Sequence, residues 1–384
     1  LKNLQIEQVF NARVPTTLAN VPTGAQALVL AEAARKGNSV VHILSDGQHM
    51  GDLAQNLEFF APDIPVLILP GWDCLPYDRV SPSADTAARR LSTLGALIAH
   101  QKNPHAIIVL ASVNALIQKI PPRNVLAGLG FQARPGNHMK MDDIAQRLSV
   151  NGFERVPTVR EVGEFAIRGG ILDAFVPGYA EPVRLDFFGD TLESIRNFDP
   201  ATQRTTKQAR SLELNPMSEV SLNDALISRF RKNYLSLFGA AKRDDALYQA
   251  ISEGRRFAGM EHWLPLFYEN LETVFDYLTG FSFFADRNVA EAASARHIQI
   301  LDHFQARACA ADTASTAQAT PYNPVPVDQL YLRPEEFSKA LDDVNTVSIS
   351  PFLEEETGAR RVINLRASAG PRWATTIEAP TGEG

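Results

Sequence analysis

The chain has 384 residues, 45% of them hydrophobic and 21% charged, with 44 acids against 37 bases for a formal charge of −7. That is the composition of a globular chain long enough for two or three domains, with no apolar run of about 18 residues to cross a membrane and no bulk positive charge to hold nucleic acid. The two cysteines, Cys74 and Cys309, exclude a disulfide framework and a thiolate metal cage, and no basic-then-apolar leader opens at Leu1, so the expected setting is cytoplasmic.

Residues 1–122 read as the first part of an α/β domain. Ser39–Ser45, Val66–Pro70 and His105–Ser112 are short β-branched apolar runs, and continuous runs suit strands buried on both faces of a parallel sheet. Ala25–Arg35 and Ala84–Ala99 between them carry helical spacing, the latter through Leu91, Leu94, Leu97 and Ile98. Residues 123–211 change to strand-like alternation punctuated by Gly, Pro and Arg. They are nearly neutral, whereas the rest of the chain is acidic. Residues 212–350 return to α/β, with helices expected over Asp224–Phe238, Asp245–Glu253 and Ala290–Ala308 and strands over Thr273–Leu278 and Phe281–Ala285. These strands are expected to complete the first sheet, which makes the middle piece an insertion. Residues 351–384 read as a linker or tail leading to downstream domains.

A phosphate loop is the natural expectation where Val21-Pro22-Thr23-Gly24 precedes a helix. Such a loop needs a second glycine, a Lys for the β/γ-phosphates and a hydroxyl for Mg²⁺. Gln26, Ala27 and Leu28 stand at those three positions after Thr23 and Gly24, so ATP hydrolysis is not expected here. The strand at Phe281–Ala285 runs into Asp286-Arg287-Asn288, not the paired Asp-Glu that would serve Mg²⁺. No G-x-S-x-G elbow and no H-E-x-x-H occurs, and His297, His303 and Cys309, six apart, do not share a helix face. No catalytic residue, metal site or cofactor is expected.

The informative stretch is Glu164–Asp199. Val183, Leu185 and Phe187 alternate with Arg184, Asp186 and Phe188 ahead of the turn dipeptide Gly189-Asp190. With the aliphatic set in the core, Arg184 and Phe188 share the exposed face, the composition of an interface anchor. The competing reading has Phe188 cap the sheet or pack under a loop and pairs Arg184 with Asp186 or Glu193. Arg168 closes the apolar Phe165-Ala166-Ile167 before Gly169-Gly170. A strict two-residue turn would set Asp186 opposite Glu193, so a longer turn is expected.

Arg168-Gly169-Gly170-Ile171-Leu172-Asp173-Ala174-Phe175-Val176-Pro177, with Arg184–Asp190 and Phe198-Asp199, resembles the inserted domain shared by UvrB and the transcription–repair coupling factor family. Trp72–Asp78 with Arg90–Leu94, Gly259–Phe267 and, more weakly, Leu330–Arg333 single out the latter family. The resemblance implies an α/β fold: a degenerate P-loop helicase-like (RecA-like) parallel-sheet domain with an inserted β-rich α+β domain, as in UvrB. It implies a module that recruits UvrA to RNA polymerase stalled at DNA damage, with ATP-driven translocation, polymerase and DNA contacts in domains further along the parent chain. It places the UvrA contacts on Arg168, Arg184 and Phe188, a surface that a distant C-terminal domain covers in the intact family members. Unlike UvrB, residues Tyr77 to Arg90 hold no cluster of Tyr or Phe for damaged DNA. Two rivals remain at this point, a nucleotide-hydrolysing helicase subunit and a direct DNA-binding module.

Overall fold

A computed structural model describes residues 15–242, 245–313, 322–356 and 360–365. Among these, seven parallel strands form one sheet in the order β15-β1-β14-β13-β2-β4-β3. The strands are β1 (Thr16–Ala19), β2 (Val40–Leu44), β3 (Val66–Leu69), β4 (Ile108–Ser112), β13 (Ser282–Asp286), β14 (Val347–Ile349) and β15 (Arg361–Asn364). Every residue of β2 and β4 is buried, which is why both read as unbroken apolar runs. Helices Thr23–Arg35 and Met50–Phe60 cover one face through Leu30, Ala34, Leu53 and Leu57. The other face carries the larger core, where Leu91, Leu94 and Leu97 of helix Ala84–Lys102 meet Phe230, Trp263, Phe267, Tyr277 and Phe337.

Between the two halves of that sheet in sequence lies a second one, six strands in the order β11-β10-β9-β8-β7-β6. Its members are β6 (Glu154–Arg155), β7 (Glu164–Arg168), β8 (Ile171–Ala174), β9 (Val183–Phe188), β10 (Thr191–Phe198) and β11 (Thr205–Ala209). One face packs Phe165, Leu172, Leu185, Phe187 and Ile195 against helix Met141–Val150, whose Ile144 and Leu148 point inward. A separate two-stranded antiparallel ladder pairs β5 (Phe131–Ala133) with β12 (Leu212–Leu214).

Three expectations need correction. Thr273–Leu278 is not a strand but a helical turn, Val274–Tyr277, because Thr273 and Asp276 close a capping box that β-propensity does not register. Within the stretch read as a tail, Arg361–Asn364 pairs in parallel with all of β1, supplying an edge strand. Residues 366–384 of that tail lie outside the described residues. The turn between β9 and β10 holds two residues, not more, and a bulge after Leu192 removes the clash of acids that argued for a longer one.

Candidate partner-binding site

The second face of the inserted sheet carries the residues that alternation put outside. Pairing registers align Ala166, Asp173, Arg184 and Arg196 in one row across four strands, with Arg168, Ile171, Asp186 and Ser194 in the next. Opposed residues share a face, and diagonal neighbours lie within reach of a long side chain. Asp173, only 1% exposed, takes its opposite neighbour and a diagonal one together. Arg184 donates to it from Nε at 2.7 Å and Nη2 at 2.8 Å, and Arg168 from Nη2 at 2.9 Å. A buried carboxylate requires such pairing, and the fork geometry of Arg satisfies both its oxygens. Asp173 raises the pKa of Arg184 further above its usual value, chiefly through these hydrogen bonds and against the desolvation of the guanidinium.

Arg184 is fixed from two more sides. Its Cζ lies 4.7 Å from the centre of the Phe198 ring, and Nη1 donates to the carbonyl of Gln203 at 3.4 Å. That carbonyl is presented by a tight loop in which the Asp199 carboxylate accepts from the amides of Ala201 and Thr202. Those bonds, the Thr202 amide foremost, hold the Asp199 carboxyl below its usual range. Phe188, at the hairpin end of the same face, is 78% exposed. The reading that buries it under a loop is therefore not realised, and Arg184 pairs with Asp173 in place of Asp186 or Glu193.

Residues 183–188 keep strict alternation, but β10 does not. Phe188 opposes Thr191 and Phe187 opposes Leu192, after which the register shifts so that Ser194, not Glu193, faces Asp186. Ser194 Oγ donates to Asp186, and Arg196 grips both its oxygens at 2.6–2.9 Å. Arg196 thus stands on the exposed face beside Arg184, a position that period-two reasoning from the turn does not reach. A bulge has no fixed sequence signature, and the only clue was the conflict of charge that strict pairing would have created.

The phosphate-loop positions are built differently from a nucleotide cradle. Ala27 is fully buried in the helix core, and Thr23, Gly24, Gln26 and Leu28 lie on the same helix, whose first turn carries no acid. Only Asn20, Val21 and Pro22 separate it from β1. The amides of Asn20 and Val21 donate to the carbonyls of Phe352 at 2.7 Å and Ser350 at 2.9 Å, and Pro22 has no amide. At the end of β13, Asp286 accepts from the amide and hydroxyl of Ser45 and lies 3.2 Å from His42 Nε2. Burial opposes its charge, yet these bonds outweigh burial and keep its pKa below the usual value. Among the described residues no group of three or more His, Cys, Asp or Glu is placed to hold a metal ion.

Residues 131–219 match the family model of the UvrB interaction domain. The chain is 35% identical over 299 residues to a transcription-repair-coupling factor of Haemophilus influenzae, 76% of this chain and 26% of the relative. To the Escherichia coli protein of the same name it is 33% identical over 281 residues, 73% of this chain and 24% of the relative. The Myxococcus xanthus protein of that name is 38% identical over 258 residues, 63% and 21%. This chain is a relative of the transcription-repair-coupling factors. It spans about a quarter of the length of the curated relatives it matches.

The UvrB interaction domain leaves the larger α/β body through a buried polar clasp. Arg90, with no exposed surface, donates from Nε to Glu219 Oε1 at 2.6 Å and from Nη1 to the carbonyl of Pro70 at 2.7 Å. Trp72 Nε1 shares the same carboxylate oxygen, and the Tyr268 hydroxyl donates to the Glu219 carbonyl. Arg256 reaches across the exit to Ser218 and the carbonyl of Val220. Trp72 and Arg90 come from stretches that carried the family resemblance, and here they join the domain to its mount.

Proposed function

We propose that the chain is an adaptor: its UvrB interaction domain docks UvrA through Arg168, Arg184 and Phe188, and the α/β body is the mount for that surface. In this reading the module serves transcription-coupled nucleotide excision repair in the bacterial cytoplasm. The parent protein supplies ATP-driven DNA translocation and the contacts to DNA and to RNA polymerase from segments beyond this chain. The observation that carries the proposal is a large aromatic left 78% exposed beside two arginines that one buried carboxylate holds in place. Ordering side chains costs free energy on association, so a prebuilt surface is better suited to binding than a mobile one. The relatives' shared name and the match to the UvrB interaction domain support the same assignment.

For the α/β body we propose that it hydrolyses no ATP. The short turn after β1, its amides already paired, and the buried Ala27 at the Lys position support this. No helix among the described residues is long and apolar enough to cross a membrane.

The deciding experiment measures binding of purified UvrA to this chain and to folded Arg184→Ala and Phe188→Ala variants. Each substitution is expected to weaken binding about tenfold or more, roughly 1.4 kcal/mol. A folded chain that does not bind UvrA overturns the proposal, and ATP turnover by the isolated chain overturns its second part.

A further inference from the structure

We propose that Arg196 belongs to the same contact surface, and that the surface takes an acidic protein partner: carboxylates for its guanidinium groups beside an apolar recess for Phe188. The proposal rests on the UvrA reading and deepens it, since the residue-by-residue resemblance supplied only Arg168, Arg184 and Phe188.

The bulge in β10 carries the argument. With unbroken pairing from the turn, Phe187 opposite Leu192 would be followed by Asp186 opposite Glu193 and Arg184 opposite Ile195. Arg196 would then point into the core and Ile195 to solvent. The register shift at Glu193 reverses this: Ile195 is fully buried opposite Leu185, and Arg196 stands directly opposite Arg184. Bulges re-aim side chains in this way, often next to functional sites. Like charges directly opposed on a sheet destabilise it, so this placement carries a cost in stability. The fold offsets that cost with one carboxylate for each arginine, Asp173 under Arg184 and Asp186 beside Arg196, without moving either guanidinium off the face.

Each arginine keeps donors after its internal pairing. Arg196 uses Nε and Nη2 on Asp186, so Nη1 remains to be directed outward, and its side chain is 40% exposed. Arg168 gives one nitrogen to Asp173 with 49% of its side chain exposed. Within this cluster three guanidinium groups share two carboxylates, which leaves a local excess of positive charge in a chain of net charge −7. Carboxylates on a partner match such forks bidentately. A nucleic-acid strand fits less well. The partly exposed Asp186 would face its phosphates, and the acidic chain as a whole repels a polyanion.

The test uses the whole chain and purified UvrA, with folding of every variant checked by thermal melting. Arg196→Ala is expected to weaken binding about tenfold and Arg196→Glu about a hundredfold, while Arg196→Lys, which keeps the charge beside Asp186, loses about threefold. Arg255→Ala, an exposed arginine paired with Glu253 outside the inserted domain, binds as the unaltered chain does. Wild-type binding that Phe188→Ala weakens but Arg196→Ala and Arg196→Glu leave unchanged would overturn the inclusion of Arg196 while sparing the UvrA reading. Equal losses for Ala and Glu would overturn the acidic partner. Failure of the unaltered chain to bind UvrA would defeat the underlying reading and this one with it. Salt-sensitive binding of a single-stranded oligonucleotide, abolished by Arg196→Glu, would reassign the face to nucleic acid.

Discussion

Asp173 and His262 show how differently two buried polar side chains behave. Asp173 is charged and fully paired, so removing its charge leaves Arg184 without its acid in a half-buried position. Asp173→Asn is expected to destabilise the chain by about 3 kcal/mol in urea unfolding, the lower end for breaking a buried ion pair. Arg168→Ala, at the exposed side of the same cluster, should cost less than about 1 kcal/mol. His262 is instead buried among Trp72, Tyr77 and Cys74, and burial pushes its pKa down to about 4, with Asp78 and Arg307 acting in opposite senses. It is neutral in the folded chain, whereas in the unfolded chain it takes up a proton near pH 6.5. Its contribution is therefore complete above about pH 6.5 and declines by roughly 3 kcal/mol as the pH falls toward 4. Unfolding free energies across that window should show the slope, and His262→Gln should flatten it.

The residues between 164 and 199 were legible because their chemistry repeats every second position, and the alternation places Arg184 and Phe188 on one side with no structure in hand. The sequence gives no comparable signal where a strand interrupts its own period, which is why Arg196 escaped. Deleting Glu193 tests that device at the level of the hairpin. Without that extra residue Ser194 follows Leu192 and pairs with Asp186 in regular register, so Ile195 should stay in the core and Arg196 on the face, with the unfolding free energy changed by less than about 1 kcal/mol and amide shifts confined to 164–209. The main sheet divides the same way. β2 and β4 announce themselves as unbroken apolar runs, whereas β1 is Thr-Thr-Leu-Ala and β14 only Val-Ser-Ile, too short or too polar for a pattern. Thr273–Leu278 misled in the opposite sense, since Val, Phe and Tyr favour strands and only the Thr273–Asp276 cap reveals the helical turn.

Taken as one molecule, the described residues hold two large sheets of different construction, one parallel and one mostly antiparallel, beside the two-stranded β5–β12 ladder. Helix Ala84–Lys102 serves both bodies: Leu91, Leu94 and Leu97 lie in the core of the main sheet, and Ala88 in that of the inserted one. The Arg90–Glu219 pair ties the end of the inserted domain, whose outer face carries Arg184 and Phe188, to the larger body. The main sheet, in turn, depends on its distal strands, because β14 separates β1 from β13. A chain ending at Asn345 should lose that sheet's cooperative unfolding while the inserted domain keeps its own. Limited proteolysis would then leave a protected fragment covering roughly 131–219, the extent of the matched domain.

The placement of β1 between β14 and β15 also sets an order of events during synthesis. By the time residue 219 has left the ribosome, every strand of the inserted sheet is available to its neighbours. The first strand of the surrounding sheet still has none. Domains generally fold as units while the chain is being made. The interaction domain thus assembles as a finished piece within an open frame, which closes around its base only when β13, β14 and β15 arrive.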